Sequence, residues 1–477
     1  MNRSALAVCS LVFLCSSFIY SCGNNTMMNV APPGSTAMSV TLTDTPPVGG
    51  TILSFEVSVT GATLNPGSVD LLGARGPVRV EITQLETESA FLNTANVPAG
   101  TYTGLSLTFA NPELTFKNDT GAALAGCAVG SVCQIKPTGT LTSAVSLPGA
   151  GVVLSGGMAH EGGDDNGHGS AGIQIDVNPN TILGATLGVD FSQSGAVTAT
   201  QLAAKNAGEF DDLDDLNGVV QNLNATNQTF TLHTLDGDFV IATGSATEFE
   251  FENCPADNFT CLQNNLVVEV DARLMPGGTF IAKKIEFEDQ AEDDELEGMV
   301  FKVDDATHFE MVVVDELRNV NNVGLGNPVV VTLSNPSFQV DQDGLNVPSG
   351  FQNAFQGETD TSQLLTGQVL QVRLTGSAAQ GPPVTVTANR VRLRMTQLTA
   401  TVSGAPVPPN FSVANLPAFF TRAGITSLQV QTSDKTDFDG ASGVNSLVDG
   451  NSVSLRGLLF SNGGNPPAFM AKKVRKR

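Results

Sequence analysis

No tryptophan occurs in the 477-residue chain, and of its two tyrosines only Tyr102 lies beyond residue 22. Sugar faces usually stack on such rings, so a glycan site here would have to rely on Phe or on polar side chains. Histidine is equally sparse, at four residues. A nucleophile–His–acid triad needs an imidazole within reach of Ser or Cys, and outside one short segment only His233 and His308 are present. Lys and Arg total 23 against 47 Asp and Glu, for a net charge of −24. That balance excludes the broad basic face that phosphate backbones require, so no nucleic-acid partner is expected. Long helical periodicity is nearly absent, and no GxSxG, phosphate loop or glycine-rich nucleotide fingerprint occurs. Asp/Glu pairs suited to glycoside cleavage cannot be picked out by spacing among so many acids. No cofactor is expected, and the chain reads as a non-enzyme.

What is present begins with residues 1–22. Asn2 and Arg3 precede an apolar run from Ala5 to Tyr20, which ends in Ile19, Tyr20, Ser21, Cys22 and Gly23. The run is shorter than the roughly 20 residues that span a bilayer, and a polar, Pro-containing stretch follows it. An aliphatic residue three positions before a cysteine, with a small residue just before it, is the layout of a bacterial lipoprotein signal, and it predicts Cys22 as a lipidated N-terminus. Plain secretion is the rival reading. One acyl chain anchors weakly, so stable attachment implies several. Gly23 and Asn24, with no Asp, follow Cys22, which favours the outer membrane where two membranes exist. Residues 23–37 (GNNTMMNVAPPGSTA) read as a flexible tether.

Cys9 and Cys15 depart with such a signal, leaving Cys127, Cys133, Cys254 and Cys261. In an oxidising envelope these read as two local disulfides, Cys127 with Cys133 and Cys254 with Cys261, each contributing roughly 2 kcal/mol by closing a short loop. A four-cysteine zinc site is disfavoured because neither pair has CxxC spacing. No thiol is left over as a nucleophile.

Forty-nine Gly, 24 Pro and short alternating apolar runs point to an all-β chain of several domains. A sandwich-like domain is expected over residues 38–205. Its segment from Ser54 to Leu64 turns Phe55, Val57, Val59, Ala62 and Leu64 inward, with a change of phase near Gly61 that predicts a bulge. The stretches TLTDTPP, VSVTGATLNPG, PAGTYTGLSLTF and GVDF resemble the bacterial domain of unknown function numbered 4382, most specifically at Asp44 with Pro46 and at Gly100 to Tyr102. That resemblance implies a β-sandwich and no activity.

The second half repeats itself. LNGVVQNLNATNQTFTL from Leu216, LEGMVFKVDDATHFEMV from Leu296 and, more faintly, LTATVSGAPVPPNFSV from Leu398 open three units. Each continues through a Phe-containing turn (ATEFEF, NPSFQVDQDG, KTDFDG) and a hydrophobic strand (LVVEVDARL, QVLQVRLTG, NSVSLRGLL). Each closes on FIAKKIEFE, VTANRVRLR or FMAKKVRKR. This order is similar to the domain of unknown function numbered 5666, which implies a small OB-like five-stranded barrel. Three barrel modules are expected at 216–288, 296–394 and 395–477, the second stretched by insertions near 319–326 and 348–361. The third lacks the opening glycine where Thr399 stands.

Acidic runs at 206–215 (including EFDDLDDL) and 289–295 are expected to be solvated linkers between modules. Weak calcium capture is the other use of such carboxylates, and Asp341, Asp343, Asp437 and Asp439 are expected in equivalent turns of two repeats. The segment HEGGDDNGHG offers His160, Glu161, Asp164, Asp165 and His168 as ligands for zinc or another transition metal. It is not HExxH, and its glycines suit an exposed hairpin loop better. The basic residues 472–477 are expected to end the last strand or make a local anionic contact.

Together these features predict a non-catalytic cell-envelope lipoprotein, anchored in the membrane by lipid, with a sandwich and three barrels strung outward as a structural or interaction module. The alternative is an envelope ligand-binding protein for polysaccharide or divalent metal. An envelope protein or a polysaccharide is the expected partner.

Overall fold

The computed structural model describes residues 34–45, 52–155, 170–203, 208–234, 237–251, 254, 256–289, 294–316, 323–379, 381, 383–463 and 466–477. Cys22, Pro46 and the whole of His160, Glu161, Asp164, Asp165 and His168 lie outside them. Among the described residues no helix is long and apolar enough to cross a membrane.

Strands dominate the described residues, with only short helices between them, as the alternation predicts. In the N-terminal unit, Ser35–Asp44 lies between Ser170–Val177, with which it runs parallel, and Ala90–Pro98, and Val197–Leu202 completes this sheet. The facing sheet is built on Ile52–Asn65 and Gly104–Lys117. Phe55, Val57, Val59, Ala62 and Leu64 are all fully buried between the sheets. The register slips between Val59 and Gly61, so a bulge keeps Ala62 and Leu64 on the inner face after the change of phase. Phe191, from the GVDF stretch, stacks on Phe109 at 4.1 Å between ring centroids and lies 6.5 Å from Phe55. The Tyr102 hydroxyl donates to the Pro98 carbonyl at 3.0 Å.

Three five-stranded circuits follow. The first uses Asp211–Asn224, Thr229–Thr234, Gly237–Ala242, Val267–Leu274 and Phe280–Asp289, and closes by parallel pairing of Ile241 with Phe280. The second, Glu295–Asp305 through Val384–Arg394, is a closed barrel. The third, Thr396–Val407 through Ala468–Lys476, closes between Ser427–Gln431 and the final strand. The Phe-containing turns of the sequence are short strands instead: Phe249, Phe338 and Phe438 pair with Ile285, Val391 and Val474 of the closing strands. In barrel 2 this strand is continuous with its predecessor as Pro328–Val340, and the insertion after it forms the helix Ser349–Gln356.

The opening glycine has a steric reason. A Cβ at Gly218 would sit 2.7 Å from the His233 carbonyl oxygen, and one at Gly298 2.8 Å from that of Val312. The pairings Gly218–Val268, Gly298–Leu370 and Ala400–Val453 show that Ala400, not Thr399, takes this place in barrel 3. There the second strand, Asn410–Ala414, ends opposite Thr401, before reaching it.

Two expectations about how the units are joined are also corrected. The acidic run before barrel 1 is not a solvated linker, because Asp211–Asn224 is one strand, with Asp211 and Asp212 buried. Likewise Glu295, in the second run, is a buried residue of barrel 2's first strand. Nor are the units strung outward. Phe91 of the sandwich packs edge-on against Phe280 of barrel 1 at 4.8 Å, with the Arg75 guanidinium over Phe91 and Phe239. Leu458, Phe460 and Met470 of barrel 3 belong to the core of barrel 2. Leu53 of the sandwich shares a cluster with Met299, Phe301 and Val312 of barrel 2.

Candidate functional site

Many of the cations that lie at or near the contacts between units come from the closing strands or directly follow them, and Arg456 joins them from the strand before. Lys283 and Lys284, Arg390, Arg392 and Arg394, and Lys472, Lys473, Arg475, Lys476 and Arg477 supply ten of the chain's 23 cations. Alternation turns some of them toward neighbouring units, where carboxylates meet them.

At the centre stands Arg456, on the fourth strand of barrel 3 and 1% exposed. Its Nε lies 2.7 Å from Glu88 of the sandwich, its Nη2 meets Asp215 of barrel 1, and its Nη1 is 3.9 Å from Asp343 of barrel 2. One guanidinium thus touches an acid from each of the other three units. These are charge contacts, none of which has the alignment of a hydrogen bond. Arg394 of barrel 2 pairs with Asp341 and Glu297 of its own unit and with Glu269 of barrel 1. Lys284 reaches across from barrel 1 to Asp343 at 3.0 Å, as does Lys472 from barrel 3. Asp214 accepts Lys283 at 2.8 Å and Lys473 at 3.3 Å. The basic end of the chain ends the last strand and meets anions: Lys473 reaches Asp214, and Arg477 lies 3.9 Å from the Asp44 carboxylate while donating to the carbonyls of Asp44 and Glu86.

Burial divides these acids into two kinds. Burial alone would raise the Asp214 carboxyl, yet Lys283, Lys473 and Arg456 hold it well below its ordinary range. Asp341 is lowered in the same way, burial being outweighed chiefly by Arg394. In contrast, burial pushes Asp271 up to about 7, assisted by the nearby charges of Asp214 and Asp343. Glu86 is pushed up to about 7 by burial against Thr399 and Arg477, and burial with Glu86 beside it raises Asp44 well above the carboxylate range.

Among the described residues two carboxylate trios come within 4.8 Å: Asp215, Glu269 and Asp271, and Glu269, Glu286 and Asp343. The protein's own cations already contact them. Arg456 and Arg394 meet Asp215 and Glu269, and Lys284 meets Glu286 and Asp343. The four aspartates foreseen in equivalent turns are not equivalent. Asp341 and Asp343 lie beyond the Phe338 strand in the central network, whereas Asp437 and Asp439 flank Phe438 itself, where Asp439 binds Arg475 at 2.9 Å.

Cys127–Cys133 and Cys254–Cys261 are disulfides. His233 Nδ1 lies 2.6 Å from Asp238 across a hairpin. His308 Nδ1 faces both Asp305 at 2.9 Å and Thr307 Oγ1 at 3.0 Å, so acid and hydroxyl share one ring nitrogen. A triad needs them on opposite nitrogens. Sequence reasoning missed Arg456, Arg394 and Lys284 because each draws its partners from distant segments. The one available signal was the recurrence of cations in the closing strands beside acids at the module boundaries.

Beside this network, between barrels 1 and 2, opens a cleft of about 770 Å³. Phe249, Phe251 and Phe287 line one side, and the end of the Pro328–Val340 strand with the following turn lines the other.

Residues 217–286, the first barrel, match the family described as Domain of unknown function (DUF5666). A comparison with curated proteins finds no match. Among solved structures, the chain is similar at 9% identity to "drosophila Unr CSD456", covering 55% of this chain and 96% of that one with a TM-score of 0.12. It is similar at 10% identity to a multidomain protein with nucleic acid binding domains from Streptococcus pneumoniae, covering 56% and 74% with a TM-score of 0.11. Scores this low leave the function open.

Proposed function

We propose that this protein is a non-catalytic, lipid-anchored component of a bacterial cell envelope, most consistently of the outer membrane, that acts as a rigid structural or interaction body. The observation that carries the reading is the junction at Arg456, where one buried guanidinium ties an acid of the sandwich to acids of barrels 1 and 2. A chain that places so many of its few cations between its own units holds those units in fixed register, and fixed register suits a body that presents several faces at once. Repetition here supports breadth of surface more than reach. The sequence at Ile19 to Cys22 supports the anchor, and the two disulfides suit an oxidising compartment. The sandwich carries the resemblance to the family numbered 4382, with Asp44 fully buried at the contact with Arg477.

The test is fractionation of cells producing the wild type or Cys22→Ala, with protease added to intact cells. The wild type is expected in the membrane fraction and Cys22→Ala in the soluble fraction. Equal membrane retention of the two would overturn the anchor. Digestion of intact cells that removes the barrels from the wild type would direct the search for partners outside the cell, and protection would direct it to the periplasm.

A further inference from the structure

We propose that the cleft between barrels 1 and 2 is a binding site for a neutral oligosaccharide. Its volume of about 770 Å³ falls within the roughly 300–1,000 Å³ typical of small-molecule sites. The wall from barrel 1 is aromatic: Phe251 lies 6.4 Å from Phe249 and 6.3 Å from Phe287 between centroids, and Phe249 and Phe287 are only half-buried. A row of rings of this kind accepts the C–H face of a pyranose, and Phe here takes the part that Trp and Tyr are too scarce to play.

The opposite wall supplies side-chain amides. Gln339, Gln342 and Gln356 line the cleft, and none of these side-chain amides makes a hydrogen bond among the described residues. Each offers both a donor and an acceptor, which is what a hydroxyl requires; phosphate would call for donors alone and an ammonium for acceptors alone. Asp343 also lines the cleft. It is 4% exposed, and while its Oδ1 takes Lys284 and Lys472, its Oδ2 accepts no hydrogen bond, Arg456 being 3.9 Å away. A ligand hydroxyl that reached this oxygen would supply the donor it lacks. Glu250, Asp257, Glu286, Asp341 and Asp343 outnumber Arg390 and Arg392 in the lining, which disfavours an anionic ligand. Lys284, held among Glu250, Glu286 and Asp343, already stands where a small cation would bind. The site is independent of the membrane anchor, so either proposal can fail without the other.

The test is calorimetry and saturation-transfer NMR on the full chain with maltohexaose, cellohexaose, laminarihexaose and chitohexaose, with spermine and inorganic phosphate as charged controls. At least one hexasaccharide is expected to bind. Phe249→Leu, which keeps an apolar side chain on its strand but removes the ring, is expected to weaken that binding roughly tenfold, and Gln342→Ala to weaken it as well, both with unchanged melting. If Phe249→Leu is unstable, Phe287→Leu makes the same test from the closing strand. Absence of binding by all four hexasaccharides, equal binding by the variants, or tighter binding of spermine or phosphate than of any saccharide would each overturn the proposal.

Discussion

The interior of the sandwich and the centre of the junction among the four units are both buried, yet they are built from opposite materials. Phe55, Phe109 and Phe191 fill the first with rings, and Arg456, Arg394 and Lys284 fill the second with charge. Burial stabilises the apolar core in proportion to area, with little dependence on which apolar side chain is opposite. A buried charge is favourable only while its partner is in place, so the junction is specific about orientation and intolerant of partial loss. One region sets that the units fold, and the other sets how they sit together.

The comparison breaks most sharply at Arg456. Arg456→Ala leaves Glu88, Asp215 and Asp343 without their shared cation and is expected to cost about 3–5 kcal/mol. Its unfolding in denaturant should separate into more than one transition as the units uncouple. Phe109→Ala is expected to cost a similar roughly 3–5 kcal/mol, but its effect should be confined to the sandwich, and hydrogen exchange in the barrels should be unchanged. If both variants unfold in the same single transition, the distinction between core and junction is lost.

Replacing Cys254 and Cys261 together by Ser is expected to cost about 2 kcal/mol. This should lower the stability of barrel 1 before that of its neighbours, as read by protease susceptibility.

Acidity sharpens the comparison further. Asp271 and Glu86 hold their protons up to about pH 7 in the fold, against ordinary values of 3.8 and 4.5. Between those limits the folded state binds the extra protons, so the stability they contribute is complete at low pH and is lost as pH rises through 7. Asp214 and Asp341 act in the opposite sense. Their lowered values give stability that is present above the ordinary carboxylate range and lost as pH falls through their folded values. Melting temperature should therefore peak in mildly acidic solution and decline on both sides. Asp271→Asn, which keeps an acceptor for the Asp215 amide, should flatten the alkaline limb and add about 1 kcal/mol at pH 8. A steeper alkaline limb in Asp271→Asn would contradict the assignment. The smallest effect is expected at Lys136, whose side chain is 81% exposed in its pair with Glu113. Lys136→Ala should leave melting unmoved, because an exposed pair gains little from its charge.

How legible each feature was follows from where its partners lie. The inward set from Phe55 to Leu64, with its bulge, could be read because alternation and its break are local. The repeat was legible because each barrel buries the same positions, and the disulfides because six- and seven-residue separations leave few other partners. Asp211, Asp212 and Glu295 read as solvated because acids in a row usually are. Whether an acid is buried depends on a cation that can be far along the chain: Glu269 meets Arg394 from 125 residues away. The cleft was illegible for the same reason, since Phe287 and Gln342 belong to different barrels.

By itself the sequence determined the strands, their inner faces, the three-fold repetition and the cysteine pairs, all set by short-range alternation, turn chemistry and spacing. Only the tertiary structure decided that the barrels close against one another and against the sandwich, that the acidic boundary segments lie inside, and that Arg456 faces three units at once. The physical reason is that apolar burial can be satisfied by any suitable neighbour, while a buried charge is stable only opposite particular groups, and those groups are brought together only when the whole chain has folded.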